Sequence, residues 1–177
     1  MFGVSGTSIR RVLGALALML VSVVAQAEDA DSAFRSAGLI RVHWDYPAKA
    51  SLGFGVMVAR VPKDFECKTA CHFHGVTVQG AAGLGGGELA VGYGGLVGET
   101  GQGHWLIRRV YVGYGVRAAA VRTWGASTLD PSGATFLGAE AAATIAQFGI
   151  RLGVFRRVEE VYGKKDWRVF GGAGWSF

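Results

Sequence analysis

Proline and cysteine are scarce in this chain: three and two among 177 residues. Two cysteines allow one intramolecular bridge at most, which excludes a disulfide-dense scaffold. Three prolines leave long stretches free to donate every backbone N–H to a ladder. Beyond the first 27 residues there is no unbroken apolar run of the roughly 20 residues that a membrane helix needs. Nor is there a basic helix or an aromatic RNA-binding motif, so nucleic acid drops out as a partner despite a sequence pI of about 9.5.

The basic excess itself shrinks once the N-terminus is read. Arg10 and Arg11 precede the apolar run Val12 to Val24, too short for a comfortable membrane helix, and Ala25-Gln26-Ala27 follows as an A-x-A cleavage site before Glu28. This is the pattern of a secretory signal peptide, residues 1–27, removed after Ala27. Its loss takes two of the 18 basic residues and none of the 13 acidic ones, so the net charge falls from +5 to +3.

What the chain has in excess is glycine, 29 residues. Glycine weakens helices and strands alike, so a chain keeps this many where backbones approach closely, turns are tight, or an enclosed space must be filled by almost nothing. Apolar residues reach 50% without ever forming a block beyond the signal. That combination fits a soluble core or a spanning barrel, and the glycines favour a small closed barrel.

Alternation with a period of two carries the strands. Leu52, Phe54, Val56 and Val58 share one face, as do Leu89, Val91, Tyr93 and Val97, then Leu137 to Ile145, then Phe148, Ile150, Leu152 and Val154. In the last stretch Trp167, Val169, Gly171, Ala173, Trp175 and Phe177 share a face. Trp105 to Trp124 is about twice the length of a spanning strand. Splitting it near Gly115-Val116-Arg117 predicts an all-β, eight-stranded antiparallel transmembrane barrel over 50–177, with residues 28–49 as a periplasmic lead-in.

In that register the longer loops, 61–72, 99–104, 125–133 and 158–166, share one rim, and tight turns at 85–87, 115–117 and 145–147 share the other. Reading Trp105 to Trp124 as one strand and 38–46 as the first also gives eight strands, but puts long loops at both rims. The first register matches the asymmetry of bacterial outer-membrane barrels.

Aromatic residues at both ends of the last strand's apolar face, small residues between them, and a terminal Phe177 resemble the closing strand of those barrels. With the signal peptide, the pattern over 50–177 resembles small eight-stranded barrels of the OmpA and OmpX type. The resemblance implies a monomer in a Gram-negative outer membrane, embedded in outer-membrane lipid and lipopolysaccharide. It also implies that Phe177 and Trp175 form part of the signal read by the barrel-assembly machinery.

An eight-stranded barrel is just wide enough for side chains to fill. Its lumen is expected to hold Glu88, Glu140, Arg151 and Arg122. Glu140 and Arg151 flank the turn at 145–147 and are expected to pair, since an unpaired charge in a closed lumen is costly. Cys67 and Cys71 are expected to form a disulfide in the oxidising compartment; a zinc site with His72 and His74 is the alternative, disfavoured because oxidation removes the thiolates. No metal or other cofactor is expected.

Arg108, Arg109, Arg156, Arg157, Lys164 and Lys165 are expected to line the loop rim, where Arg108, Arg156 and Arg157 would meet lipopolysaccharide phosphates. Trp105, Trp124, Trp167 and Trp175, with Tyr111 and Tyr114, read as interfacial belts. His104 with Ser127, Asp130 and Ser132 brings hydrolytic residue types to one rim, but Asp130-Pro131-Ser132-Gly133 is equally ordinary turn chemistry. No serine lies in a motif resembling lipid A deacylases or palmitoyltransferases. A structural or surface-interaction role without enzymatic activity is therefore the expectation. A soluble periplasmic barrel binding an apolar ligand is one alternative, with the apolar faces turned inward, and a lipid-modifying enzyme is another.

Overall fold

Side chains that change character at every residue have one regular outlet, an extended strand with two unlike faces. A computed structural model describes residues 32–62, 71–100, 107–124, 133–158 and 166–176. They form β1 (Ser32–Tyr46), β2 (Lys49–Pro62), β3 (Cys71–Gly83), β4 (Gly86–Thr100), β5 (Ile107–Thr123), β6 (Thr135–Ile145), β7 (Phe148–Arg157) and β8 (Trp167–Ser176). Each strand pairs antiparallel with the next, and β8 pairs with β1 to close the ring.

Closure leaves one rim where β1 starts and β8 ends, here the near rim, and an opposite far rim. The turn 146–147, the ends of β2 and β4 and the starts of β3 and β5 lie at the near rim, while 47–48, 84–85, the ends of β5 and β7 and the starts of β6 and β8 lie at the far rim.

The strand count and antiparallel order agree with the sequence reading, but two memberships differ. The stretch 28–49 is not a lead-in over its whole length: Ser32–Tyr46 is β1, paired with β2 along fourteen positions and with β8 from Arg41 to Tyr46. Its polar residues Arg41, His43 and Asp45 face a polar interior rather than solvent. The second difference is β5, which runs unbroken through Gly115-Val116-Arg117.

Gly115 is register partner to Gly94, where an added Cβ would stand 2.4 Å from the Tyr114 carbonyl oxygen. The glycine there serves close approach of two strands, not a turn. Making β5 one strand reverses the direction of the strands before it, so the longer connections fall at both rims and the expected asymmetry is absent.

Both differences leave the faces clear. Val42, Trp44, Leu52, Phe54, Val56, Val116, Ile150, Leu152 and Val154 are all exposed on the outer surface. Inside, two apolar clusters flank a polar middle. At the near rim Met57, Ala59, Val61, Phe73 and Leu96 pack together with Leu39. At the far rim Phe136, Phe155 and Phe170 pack with Ala90 and Val121. Phe155 stacks on Phe170 with ring centroids 4.8 Å apart, and Phe136 meets Phe170 edge-on at 5.0 Å. The near wall is taller on one side, because β1 extends nine residues before its pairing with β8 begins.

The β6–β7 turn places Ala146 and Gln147 at φ 48° and 73°. Two positive φ values in a two-residue hairpin loop are the geometry that Asn-Gly adopts readily and other residues hold at a cost. Replacing Ala146 with Asn and Gln147 with Gly should therefore stabilise the fold by about 1 kcal/mol or more. The check is the urea midpoint of the reconstituted barrel; an unchanged midpoint would mean that the turn carries no such strain.

Candidate functional site in the barrel lumen

Every one of the eight strands sends a polar side chain into the lumen. From β1 come Arg41, His43 and Asp45, and from β2 to β8 in turn Ser51, Gln79, Glu88, Arg117, Glu140, Arg151 and Ser176. Burial of so many charges is tolerable only if they satisfy one another.

Arg151 is the hub. Its Nε donates to Asp45 Oδ1 at 2.8 Å, and its Nη1 donates to Glu140 Oε2 at 2.9 Å and also to Glu88 Oε2. Arg41 Nη2 reaches Glu88 Oε1 at 2.6 Å, and Arg117 Nη2 lies 2.6 Å from Glu140 Oε1. Gln79 Oε1 accepts from both Arg41 and Arg117. Three guanidinium groups thus meet three carboxylates, and the described lumen is close to electrically neutral.

The room for these long side chains is made by glycines. A Cβ on Gly172 would lie 1.9 Å from Asp45 Oδ1, and one on Gly53 would lie 2.6 Å from Arg41 Nε. A Cβ on Gly153 would approach Glu140 Cβ to 2.7 Å.

His43 links this network to the near half of the barrel. Its Nδ1 stands 3.5 Å from Asp45 Oδ1, and its Nε2 lies 3.3 Å from Ser176 Oγ. Asp45 also accepts a hydrogen bond from Ser51 Oγ, so its carboxylate is held by Ser51 and Arg151. On the near-rim side of the network lies a cavity of about 100 Å³. Leu39, Met57 and Leu96 line one side of it, Gly113, Ala142, Thr144, Gly149 and Ser176 another, with Arg41, His43, Gln79 and Arg117 at the polar end.

Of the residues expected to matter, Glu140, Arg151 and Glu88 meet here, Glu140 and Arg151 as diagonal neighbours across β6 and β7. Arg122 does not join them. It is exposed on the outer side of the far rim, where its Nη1 donates to Thr135 Oγ1 at 2.6 Å, because β5 continues without a break and turns even-numbered residues outward.

Arg156 and Arg157 also stand at the far rim, with the Arg156 guanidinium 5.9 Å from the Trp167 ring centroid. Arg108 belongs to the first turn-side residues of β5 and so lies at the opposite, near rim; the expected grouping of the three is corrected by the uninterrupted β5. Cys71 opens β3, while Cys67 lies outside the described residues, as do His104, Ser127, Asp130, Ser132 and Phe177. Trp175 is exposed and meets Phe148 edge-on at 5.9 Å.

The sequence reading missed Arg41, His43, Asp45, Gln79, Arg117 and Ser176. A signal for the first three was present, since they alternate with Ile40, Val42 and Trp44 as inward residues should. Comparison of the chain with protein-family models, curated proteins and solved structures finds no match.

Because Arg151 answers three carboxylates, its removal should be far more damaging than removal of one of them. Arg151→Met should cost about 3 to 5 kcal/mol by leaving buried charge uncompensated. Glu140→Gln, which keeps the shape and leaves Arg151 two carboxylates, should cost less. Urea unfolding of the two variants beside the parent measures this, and equal losses would remove Arg151 from the centre of the network.

Proposed function

We propose that this chain is an outer-membrane β-barrel of the OmpA and OmpX type, exported through a cleaved signal peptide and serving a structural or surface-interaction role. The observation that carries the reading is the distribution of charge across the wall. Six charged side chains meet in the middle of the lumen, whereas the outward mid-strand positions, Val42, Phe54, Val56, Val116, Ile150, Leu152 and Val154 among them, are apolar, and the outward Arg122 stands near the far rim, two residues inside Trp124. A water-soluble barrel gains nothing from such a surface, and a bilayer requires it.

The belts support the same reading. Trp44, Trp124 and Trp167 are exposed at the far end, and Phe148 and Trp175 at the near end, where His72 Nε2 lies 3.3 Å from the Tyr114 hydroxyl. Along β8 the eight residue steps from Trp167 to Trp175 span roughly 27 Å, or roughly 20 Å along the membrane normal for strands tilted by about 40°. That is close to the apolar band of a thin outer membrane.

A soluble barrel holding an apolar ligand would need its apolar faces inward, and here the inward middle is ionic. With both ends of the barrel chain at the near rim, that rim faces the periplasm in this reading, and Arg156 and Arg157 at the far rim face lipopolysaccharide. Trp175 and Phe177 serve the assembly machinery. Cys67 and Cys71 form a periplasmic-side disulfide.

The test is fractionation of cells expressing the precursor, then electrophoresis of the membrane extract with and without boiling. Recovery in the outer membrane with a heat-dependent mobility is expected, and recovery in the periplasmic wash would overturn the reading. A substitution sharpens it. Leu152→Arg, at an exposed outward position in mid-strand, should cost about 2 to 4 kcal/mol in a bilayer, and within about 0.5 kcal/mol of nothing if the surface faces water.

The lipid contact has its own check. Added lipopolysaccharide should raise the melting temperature of the parent more than that of the Arg156→Ala/Arg157→Ala double variant. Equal shifts would dispose of phosphate pairing at this rim.

A further inference from the structure

We propose that Ser176, His43 and Asp45 form a nucleophile, base and orienter that act on a small acyl ester entering the near-rim cavity. The connectivity of the three groups is the one acyl transfer needs. The hydroxyl Ser176 Oγ faces one ring nitrogen of His43, Nε2, at 3.3 Å, and the other, Nδ1, faces the Asp45 carboxylate at 3.5 Å. The Ser176–His43 distance is longer than a tight hydrogen bond, and His43 Nδ1 makes no hydrogen bond here, so the approach to Asp45 has to tighten when substrate binds, as catalytic contacts commonly do.

Three independent features set this trio apart from the rest of the polar lumen. Asp45 is anchored by Arg151 and Ser51, so the carboxylate that orients the imidazole cannot swing away. A glycine stands against each member: a Cβ would lie 1.9 Å from Asp45 Oδ1 at Gly172, 2.8 Å from His43 Cδ2 at Gly174, and 3.4 Å from Ser176 Oγ at Gly149. Only Ser176 and His43 of the three line the cavity, as an attacking group and its base must. Beside them, Arg41 and Arg117 also line the cavity and bring positive charge to it, which favours a developing oxyanion.

The cavity of about 100 Å³ sets the substrate class. It is smaller than the roughly 150 Å³ apolar cavity that takes up a benzene ring, so it admits an acyl group of a few carbons and not a long fatty chain.

In the reaction Ser176 Oγ attacks the ester carbonyl while His43 Nε2 takes the hydroxyl proton. The bond from the acyl carbon to the alcohol oxygen then breaks, and His43 returns the proton to the leaving alcohol. His43 then takes a proton from water as the water oxygen bonds to the acyl carbon, the bond from that carbon to Ser176 Oγ breaks to release the acid, and His43 returns the proton to Oγ. No oxidant, metal or further reactant is required.

The experiment treats the folded mature barrel with a fluorophosphonate probe and maps the label by mass spectrometry of peptides, with hydrolysis of p-nitrophenyl acetate, butyrate and octanoate followed in parallel. The label is expected on Ser176 of the folded parent and absent from boiled protein. Ser176→Ala should abolish both labelling and hydrolysis, His43→Gln should slow both by about 100-fold or more, and octanoate should be the poorest substrate. Circular dichroism of each variant reports whether the barrel is intact, and the peptide map of the parent needs no variant at all. A folded parent that takes no label, or takes it at another residue, overturns the proposal, as does hydrolysis unchanged in folded Ser176→Ala. Because these readouts use purified protein, they stand or fall apart from where the barrel resides in the cell.

Discussion

The constraint on which the rest depends is that a closed eight-stranded ring has an inside too narrow for bulk water and, in this chain, too charged to be left unpaired. Arg151 answers it by bonding Asp45, Glu88 and Glu140, three acids on three different strands. Arg41 and Arg117 take the remaining oxygens of Glu88 and Glu140. The pairs of Arg151 with Asp45 and Glu88, and of Arg41 with Glu88, are therefore also ties across the lumen, joining strands that share no ladder. The glycines follow from the same constraint, because a guanidinium crossing the lumen needs a neighbour with no side chain, as Gly53 is to Arg41. A chain with this interior cannot replace its glycines freely, which explains an abundance that otherwise only weakens strands.

Much of the barrel was legible from alternation alone. β2, β4, β6, β7 and β8 each show a plain apolar face, and each turns that face outward. What failed was the reading of polarity. Arg41, His43 and Asp45 look like solvent-facing residues until the ring's interior is known to be ionic, so β1 read as a lead-in. Gly115-Val116-Arg117 looks like a turn for the same reason, since a glycine followed by a charge commonly ends a strand in a soluble protein. Here Gly115 lets two backbones approach, and Arg117 is a buried partner of Glu140. One misplaced turn then changed which rim every earlier loop occupied, and this carried Arg108 away from Arg156 and Arg157.

The wall and the lumen obey opposite rules, and that opposition supports the membrane reading better than any single residue. Outward positions such as Val56, Val116 and Leu152 are apolar and exposed, while inward positions at the same height are charged and buried. A water-soluble protein of this size would reverse the assignment, since apolar burial is its main source of stability. Here the stabilising apolar contact is left on the outside, to be made with something else. Inside, among the described residues, two end clusters supply the apolar packing, and the aromatic trio Phe136, Phe155 and Phe170 covers the far side of the ions.

That division also bears on where chemistry belongs in such a molecule. Ion pairs locked between an aromatic cluster and the wall have no solvent to exchange with and serve the fold. The same is not true on the near side, where the network ends in a cavity and not in a packed layer. Thr144, Gly149 and Ser176 hold that space open with small side chains although the opposite wall, at Leu39, Met57 and Leu96, carries large ones. Filling it would take little more than a few methyl groups and would strengthen the core, as cavity volume in a core weakens it. A void that is walled by small residues, ends in a histidine set beside a fixed carboxylate, and faces a half-buried hydroxyl is poorly explained by the needs of closure. It is better explained by something that has to enter.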